Sequence, residues 1–377
     1  LHRNNISGDE FAVGSALILG YEDQLDQDII SAYASSGALH VLSVSGLHVG
    51  IIYIVFNFLF LFLNNFNRGK IIKAALLLLI VWFYATLTGL SPSVLRAATM
   101  FSFIIIANGF NYYTNIFNTL AVSCFVLLLV DPYMIMEAGF QLSYLAVLGI
   151  VYIQPKLYDL WAFNNWLMNQ VWAITTVSIA AQIATFPLAL LYFHQFPNYF
   201  LLSNLLVIPV STLILYVGIL IFIVAEWEAA AQILSFLLSK IIFFLNETVK
   251  FIDGLPYAVF QEVSISVFET GMIYLLILSI LLYAVMKRLK YLFCSLLLMA
   301  FLLIYQTYEN HKENSQHKFI VYNTPKSSAM DFISGKRNVF IADSSLINNK
   351  SRMSFHIYPN WWCSGMAEQK ILYTKET

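Results

Sequence analysis

The sequence predicts an all-α polytopic membrane protein with about ten transmembrane or re-entrant helices and a short α/β-like soluble tail. Of its 377 residues, 59% are hydrophobic and only 11% are charged, and the mean hydropathy is +0.73. A soluble domain usually has about 25% charged residues, so most of this chain faces lipid or protein rather than water. Apolar runs of the length that a bilayer core of about 30 Å requires recur along the chain.

Ten such runs follow one another. Several of them contain a proline or a polar residue, which predicts half-helices or re-entrant segments at those places. The expected starts of the ten runs are Val41, Lys73, Val94, Ile116, Gly139, Val171, Phe200, Ala230, Gly271 and Tyr291.

Composition divides the chain into three segments. Residues 1–39 mix small and polar side chains with an amphipathic stretch, and we expect them to lie along the membrane surface. Residues 40–305 hold the spans. Residues 306–377 are polar and contain short strand-like runs, which predict part of a soluble α/β domain. Because the chain begins at Leu1 and stops in a polar stretch, we expect a fragment or a truncated reading frame.

Basic residues in short loops predict the orientation, because lysine and arginine are enriched in cytoplasmic loops. Two loops concentrate them, one with Arg68, Lys70 and Lys73 and one with Lys287, Arg288 and Lys290. The first loop follows one predicted span and the second follows nine. Because both numbers are odd, the two loops are predicted to lie on the same side of the membrane. They place the N-terminal segment and the C-terminal tail on the outer side.

Charge and cysteine usage exclude several classes of function. The net charge of −1 gives no general basic field, so any contact with nucleic acid has to be local. The three cysteines lie far apart and have no metal-ligand spacing. The chain shows no zinc motif and no phosphate-binding glycine loop, so we expect no metal, no cofactor and no nucleotide hydrolysis.

The first candidate motif combines imidazoles, hydroxyls and small residues at the start of the first span: His40, Ser43, Ser45, Gly46, His48 and Gly50. Its two glycines form a small-xxx-small pair that predicts close helix packing. The polar groups fit a helix crossing held by hydrogen bonds or the lining of a hydrated path. A Ser–His nucleophilic pair is a third alternative, although no orienting residue accompanies it.

The second motif begins a helix and places an arginine one turn inside it. Ser91 and Pro92 are typical of an N-cap and a first helical residue. Arg96 then either reaches headgroup phosphates from its helix or faces a pore, where a guanidinium suits a phosphodiester.

The third motif follows the turn at Asp131–Pro132 and enters the fifth span with Gly139, Gln141 and Ser143. Phe140 and Tyr144 flank it, and packing explains such rings better than base stacking does. We expect Gly139 to be a helix-packing residue and Gln141 to lie near a polar path.

The fourth motif carries polar residues and prolines at membrane depth: Gln182, Pro187, His194, Pro197, Asn204 and Pro209. The prolines predict broken helices, and irregular backbone within a bilayer is tolerated only where protein buries it or water lines it. This region is the strongest physical indication of a transport path, with a kinked but sealed bundle as the alternative.

Together the four motifs resemble the competence region of the ComEC family in their order and spacing. The resemblance covers roughly Gly14 to Ile304. It rests on His40 to Gly50, Gly89 to Ala97 with Met100, Gly139 to Ser143 with Leu145 to Gly149, and Phe186–Pro187 through His194–Phe196 to Asn204 and Pro209.

The resemblance implies a multi-pass channel of the bacterial cytoplasmic membrane that passes single-stranded DNA inward during natural transformation. It would place Arg96, His40, His48, Gln141 and His194 at or near the DNA path. The implied partners are single-stranded DNA, a cytoplasmic helicase and an outer DNA receptor. Apart from the resemblance, the expected partners are the lipid bilayer and a second copy of the chain.

The tail departs from the family, many members of which carry a metallo-β-lactamase-like domain there. The metal-binding His-x-His-x-Asp-His pattern is missing, since His311, His317 and His356 are isolated and Asp343 has no neighbouring ligand. We therefore expect no nuclease and no other enzyme activity. A transporter of another anionic polymer or solute, an intramembrane hydrolase using Ser45 with His48, and an inactive fragment remain alternative hypotheses.

Overall fold

The structure is a computed structural model that describes residues 8–66, 68–260, 263–324, 327–366 and 368–374. Residues 1–7 of the predicted surface segment and residues 375–377 of the tail lie outside the described residues. The helices before the tail are α1 (Asp9–Leu19), α2 (Gln27–Ser35), α3 (Leu39–Leu42), α4 (Gly46–Leu59), α5 (Gly69–Leu87), α6 (Pro92–Gly109), α7 (Ile116–Val130), α8 (Ala138–Tyr158), α9 (Trp166–Phe193), α10 (Phe200–Ile223), α11 (Glu228–Asp253), α12 (Val267–Met286) and α13 (Leu289–Asn314).

Eight helices among the described residues, α5, α6 and α8 to α13, are long and apolar enough to cross a membrane. Helices α4 and α7 are apolar but shorter. These ten helices confirm the predicted fold class, and the two short ones fit the expectation that some segments do not cross fully. The first begins at Gly46 rather than Val41, because the backbone is extended at Ser43 and Ser45 after the short α3.

The chain packs as two compact units. Unit 1 comprises residues 1–185 and 197–260, and unit 2 comprises residues 186–196 and 261–377. Helix α9 passes from unit 1 to unit 2 between Thr185 and Phe186. The segments 1–39, 40–305 and 306–377 were drawn from composition and stay a prediction, and α13 continues through the last of these boundaries to Asn314.

The first core of unit 1 packs α1 and α2 with α10 and α11. Helix α1 is buried on all sides from Ala12 to Ile18, whereas a helix lying along a membrane surface keeps one face exposed. This burial disagrees with the expectation of a surface segment for α1, and a Cβ atom at Gly218 of α10 would lie 2.7 Å from the Ile18 side chain of α1. Helix α2 is amphipathic as predicted, and its buried Tyr33 donates a hydrogen bond to Asn246 Oδ1 of α11 at 2.8 Å.

Two further cores of unit 1 form around α4 to α6 and around α7 and α8. In the first, a Cβ atom at Gly109 of α6 would lie 2.8 Å from Ala74 Cβ of α5, so these two helices meet closely at that point. In the second, Phe140 and Tyr144 pack together with a ring separation of 4.6 Å. Both rings are nearly inaccessible, which assigns them to packing, as expected.

Of the prolines predicted to break helices, Pro197 lies between α9 and α10, whereas Pro187 and Pro209 interrupt no helix. Pro187 lies inside α9 and Pro209 inside α10, and Pro92 stands at the start of α6, where its missing N–H has no helical partner to lose. An interior proline removes one backbone hydrogen bond, a loss that neighbouring helices can offset in a membrane protein. The chain instead leaves α9 at His194, which has a left-handed φ of 54°.

Strands β1 (Phe196–Pro197) and β2 (Val259–Phe260) are each two residues long.

Unit 2 contains a helical hairpin and a small α/β domain. Only Lys287 and Arg288 join α12 to α13, and Ser279 of α12 donates a hydrogen bond to Tyr291 O of α13 at 2.7 Å. The tail forms β3 (His317–Thr324), β4 (Ser327–Ser334), β5 (Arg337–Asp343), α14 (Ser344–Ile347), α15 (Lys350–His356), α16 (Tyr358–Cys363) and β6 (Glu368–Thr374).

The four strands lie side by side in the order β3-β4-β5-β6. The first three pair antiparallel, and β6 pairs parallel with β5 after the crossover through α14 to α16. The helices cover one face of the sheet and enclose Phe340, Met353 and Trp361. The predicted soluble α/β tail is confirmed by this sheet.

Candidate functional site

The Ser45 and His48 pair closes the first turn of α4. His48 is 2% exposed, and its Nδ1 accepts a hydrogen bond from Ser45 N at 3.1 Å and lies 3.0 Å from Ser45 Oγ. An acceptor role for Nδ1 leaves the ring proton on Nε2. This arrangement is a capping box, which satisfies backbone donors at a helix start. The contact between Ser45 and His48 therefore has a structural explanation that requires no nucleophile.

Of the other polar residues of the first motif, His40 lies close enough to His48 to interact with it electrostatically. His40 is exposed on α3, with Nδ1 3.2 Å from Gly37 O, and Ser43 is half-buried in the extended link between α3 and α4. The imidazole of His48 is therefore buried in the protein, and that of His40 is exposed.

The glycines of the first motif face α6. A Cβ atom at Gly46 would lie 3.4 Å from Ala97 Cβ, and one at Gly50 would lie 3.3 Å from the ring of Phe101. Ser93, near the start of α6, donates a hydrogen bond to Val44 O at 2.6 Å. These contacts hold the beginnings of α4 and α6 together and place Arg96 beside that junction.

Arg96 is the most unusual charged residue of unit 1. It is 5% exposed, and its Nε has no hydrogen-bond partner among the described residues. It interacts electrostatically with Tyr144 of α8 and with Glu137, which precedes that helix. A buried charge with an unpartnered donor is costly, and charged residues within membrane helices usually pair with other groups or line a polar path.

The residues of the third motif take separate roles. Gln141 Nε2 donates a hydrogen bond to Ile135 O at 2.8 Å, which holds the 3-10 turn Pro132–Met136 against α8. A Cβ atom at Gly139 would meet nothing within 4 Å, so Gly139 makes no close helix contact and that prediction is wrong. The close approach lies ten residues further on, at Gly149, where a Cβ would be 2.5 Å from Ala184 Cβ of α9.

Helices α9 and α10 bury polar atoms without partners in unit 1. Ser203 Oγ and Asn204 Oδ1 of α10 and Ser178 Oγ of α9 have no hydrogen-bond partner among the described residues. Gln182 is half-buried one turn beyond Ser178. Sequence reasoning singled out Asn204 and Gln182 but missed both serines, because small hydroxyl residues are common in membrane helices.

A polar cavity of about 220 Å³ lies between α4, α5 and α6 near the far end of α6 from Arg96. Lysine ammonium groups and asparagine amides line it: Asn57, Asn64, Lys70, Lys73 and Asn108. None of the described lining residues is acidic. Arg96 and Asn108 are twelve residues apart on α6, or about 18 Å at the rise of a helix. The same helices therefore carry cationic groups near both ends.

His194 belongs to unit 2. Its Nδ1 lies 3.3 Å from Val263 O, and its backbone carbonyl accepts a hydrogen bond from Val263 N at 3.2 Å. Its ring lies 5.5 Å from that of Trp362 in the tail. The structure thus brings His194 of the fourth motif next to the tail, a contact that no local sequence pattern indicates.

The tail holds a buried carboxyl group that sequence reasoning missed. Asp331 is fully buried, and its Oδ2 accepts hydrogen bonds from Tyr322 Oη at 3.1 Å, Asn338 Nδ2 at 3.0 Å and Trp361 Nε1 at 2.7 Å. The alternation of β4 was the available signal, because it places Ala329, Asp331 and Ile333 on one face.

Two of the tail residues that the sequence analysis described as lacking neighbouring metal ligands, Asp343 and His317, make local contacts. Asp343 Oδ2 accepts a hydrogen bond from Ser328 N at 2.6 Å, and His317 Nδ1 lies 3.2 Å from Ser334 Oγ. Within the described part of the chain, no three histidine, cysteine or acidic side chains are grouped as a metal site would require.

In the described part of the chain, ten apolar helices with buried polar and cationic groups among them define a polytopic membrane protein. Residues 17–287 match the family described as Competence protein, and residues 319–376 match the ComEC C-terminal domain. Since the first match covers more than half of the chain, the chain belongs to the Competence protein family. The resemblance to the ComEC family is thereby confirmed.

One relative is the ComE operon protein 3 of Bacillus subtilis (strain 168), which is 31% identical over 210 residues. That region is 56% of this chain and 26% of the relative's length. No solved structure matches the chain significantly.

Proposed function

We propose that this chain is a membrane channel that translocates single-stranded DNA across the bacterial cytoplasmic membrane during natural transformation. Membership of the Competence protein family supports this function. The geometry that carries the proposal is the set of cationic groups near both ends of α6, with buried Arg96 near one end and Lys70 and Lys73 near the other. A phosphodiester backbone offers one negative charge per nucleotide to such groups.

Orphaned polar atoms on α9 and α10 support a hydrated route through unit 1. A buried polar group without a partner costs about 1–3 kcal/mol, so such groups are rare unless water or a ligand satisfies them. Ser178, Ser203 and Asn204 supply two hydroxyls and an amide carbonyl that water or a passing strand can satisfy. We propose that these atoms contact the translocating strand or its water.

The orientation and the partners belong to the same proposal. The basic loops at residues 68–73 and 287–290 support a cytoplasmic position for both, with the N-terminal segment and the tail on the outer side. Family membership favours a cytoplasmic helicase that pulls the strand, an outer receptor that delivers it and, as a further partner, a second copy of the chain. We propose that the chain itself performs no enzymatic reaction.

Cellular uptake of labelled DNA tests the channel in strains that carry variants of the gene. We expect Arg96→Gln, and Lys70→Ala combined with Lys73→Ala, each to lower cytoplasmic label about 10- to 100-fold, because each removes charge-assisted contacts to phosphate. Lys240→Ala is the matched control, since Lys240 is an exposed lysine of α11 in the same unit. Normal uptake in both test variants at normal membrane levels would contradict the proposal. Loss of another solute's uptake instead would favour the alternative transporter.

A further inference from the structure

Unit 2 contains an aromatic cavity of about 900 Å³. Its walls come from the end of α9, from α15 and α16, and from β6. Six of the lining residues are aromatic: Tyr192, Phe193, Phe355, Tyr358, Trp361 and Trp362. Ligand pockets have volumes of about 300–1,000 Å³, so this cavity is large enough for a nucleotide.

The rings are held in place before any ligand binds. Trp361 is fixed by its hydrogen bond to Asp331, and its ring lies 5.5 Å from that of Tyr358. The Trp362 ring lies 6.0 Å from Tyr358 and 5.5 Å from His194, which is itself anchored to Val263. Fixed rings lose little side-chain entropy on binding a flat ligand.

Two features of the cavity indicate the chemistry of its ligand. Phe355 is 78% exposed, and an open apolar ring of this size beside others marks an interaction site. The side chains of Gln195 and Gln369 and the imidazole of His194 add hydrogen-bonding groups to the aromatic walls. Flat apolar faces with donors and acceptors at the edge match a nucleobase.

The charges of unit 2 also discriminate between its two large cavities. None of the described residues that line the aromatic cavity is acidic. A second cavity of about 630 Å³, which shares Trp362 with the first, is lined by Glu269, Glu309 and Glu313, with Lys336 as its basic residue. Carboxylates repel a phosphate backbone, so the second cavity is the less favourable of the two for a polyanion.

We infer that the aromatic cavity of unit 2 binds the bases of single-stranded DNA by stacking them on Trp362, Phe355 and their neighbouring rings. The identity of the nucleic acid rests on the proposed function. Because no lysine or arginine is among the described lining residues, binding at this cavity depends on the bases and only weakly on salt.

Oligonucleotide binding to the full chain in detergent tests the inference. The probes are a fluorescent thymidine oligonucleotide and an abasic oligonucleotide of the same length and charge. At high salt, which weakens the proposed phosphate contacts of unit 1, we expect the thymidine strand to bind and the abasic strand to bind far more weakly. Trp362→Ala and Phe355→Ala should each weaken thymidine binding about 5- to 150-fold, the range that corresponds to one lost stacked base.

Two variants control for misfolding. Phe355 is so exposed that its removal leaves no gap in the core, and Tyr373→Ala removes an exposed aromatic ring of β6 outside the cavity. We expect the Tyr373→Ala chain to bind thymidine strands as the unaltered chain does. Equal binding of abasic and thymidine strands, or undiminished binding by both Trp362→Ala and Phe355→Ala, would overturn the inference.

DNA uptake separates the inference from the proposed function. Base-dependent binding together with normal DNA uptake by a strain lacking the gene would support the cavity inference and contradict the proposed channel function. Loss of uptake in the Arg96→Gln strain together with an absence of base-dependent binding would support the proposed channel function and contradict the cavity inference.

Discussion

Asp331 shows how a single side chain in the tail links folding to pH. Burial raises the pKa of its carboxyl group, although hydrogen bonds from Asn338, Trp361 and Tyr322 act in the opposite direction. Its Oδ1 and the Oδ1 of Asn338 have no partner among the described residues. The hydrogen bonds therefore offset only part of the cost of burying the charged form.

The raised pKa predicts that the tail becomes less stable as the pH rises. The contribution of Asp331 is complete below its unfolded pKa and is lost as the pH rises through the higher folded pKa. Hydrogen exchange of β4 and β5 in the full chain measures this effect, with Asp331→Asn compared at each pH so that intrinsic exchange rates cancel. We expect wild-type protection, relative to the variant, to fall with rising pH, and a constant ratio would contradict this account.

The candidate site residues were predictable where the sequence carried a local signal. Ser91 and Pro92 indicated the start of α6 and hence the position of Arg96 one turn inside it. Arg96 is buried, with an unpartnered Nε, because α8 packs near it. No local sequence pattern indicates that packing. Asp331 was missed because a carboxylate in a polar tail is usually solvated, and only the assembled sheet buries it.

At the scale of elements, the close approach of α8 and α9 depends on Gly149. A Cβ atom there would lie 2.5 Å from Ala184 Cβ and 2.7 Å from Ala180 O, and the backbone oxygen cannot move independently of its helix. Small residues allow this kind of contact in membrane proteins, where packing replaces the hydrophobic effect as the force between helices.

We therefore expect Gly149→Ala to destabilise the protein by about 1–3 kcal/mol, the usual cost of overpacking. Gly139→Ala in the same helix is the matched control, because its Cβ meets nothing and alanine is the better helix former. Thermal unfolding in detergent measures both variants. A lower midpoint for Gly149→Ala with an unchanged or higher midpoint for Gly139→Ala is expected, and the reverse order would refute the packing.

The starts of helices were predicted well where the length of the apolar run determines them. The predictions were wrong where a proline was expected to end a helix. The runs at Ile116 and Phe200 begin at the first residues of α7 and α10. Pro187 and Pro209 were expected to break helices, but both are accommodated within α9 and α10. The burial of α1 was also missed, since it arises from contacts with α10 and α11, which lie far away in sequence.

At the scale of the whole molecule, the number of spans and the basic loops determine the predicted orientation. An even number of crossings places both ends on one side, and the positive loops at residues 68–73 and 287–290 assign the other side to the cytoplasm. Two of the ten helices, α4 and α7, are shorter than a full crossing usually requires, so the orientation depends on how each enters the bilayer.

Cysteine labelling tests this orientation in spheroplasts with a membrane-impermeant maleimide. Cys363 is exposed in the tail, so a chain that retains it after Cys124→Ala and Cys294→Ala should be labelled without permeabilisation. Arg68→Cys, in a chain whose native cysteines are all replaced by alanine, is the matched control and should react only after permeabilisation. The opposite pattern would place the tail in the cytoplasm.

The most direct test of the channel is to delete the gene that encodes the chain and follow DNA labelled on both strands into the cytoplasm. The account predicts that label enters complemented cells as single strands and stays outside the cytoplasm in the deletion strain, while DNA binding at the cell surface is unchanged. Cytoplasmic accumulation of labelled DNA in the deletion strain at the level of complemented cells would contradict it.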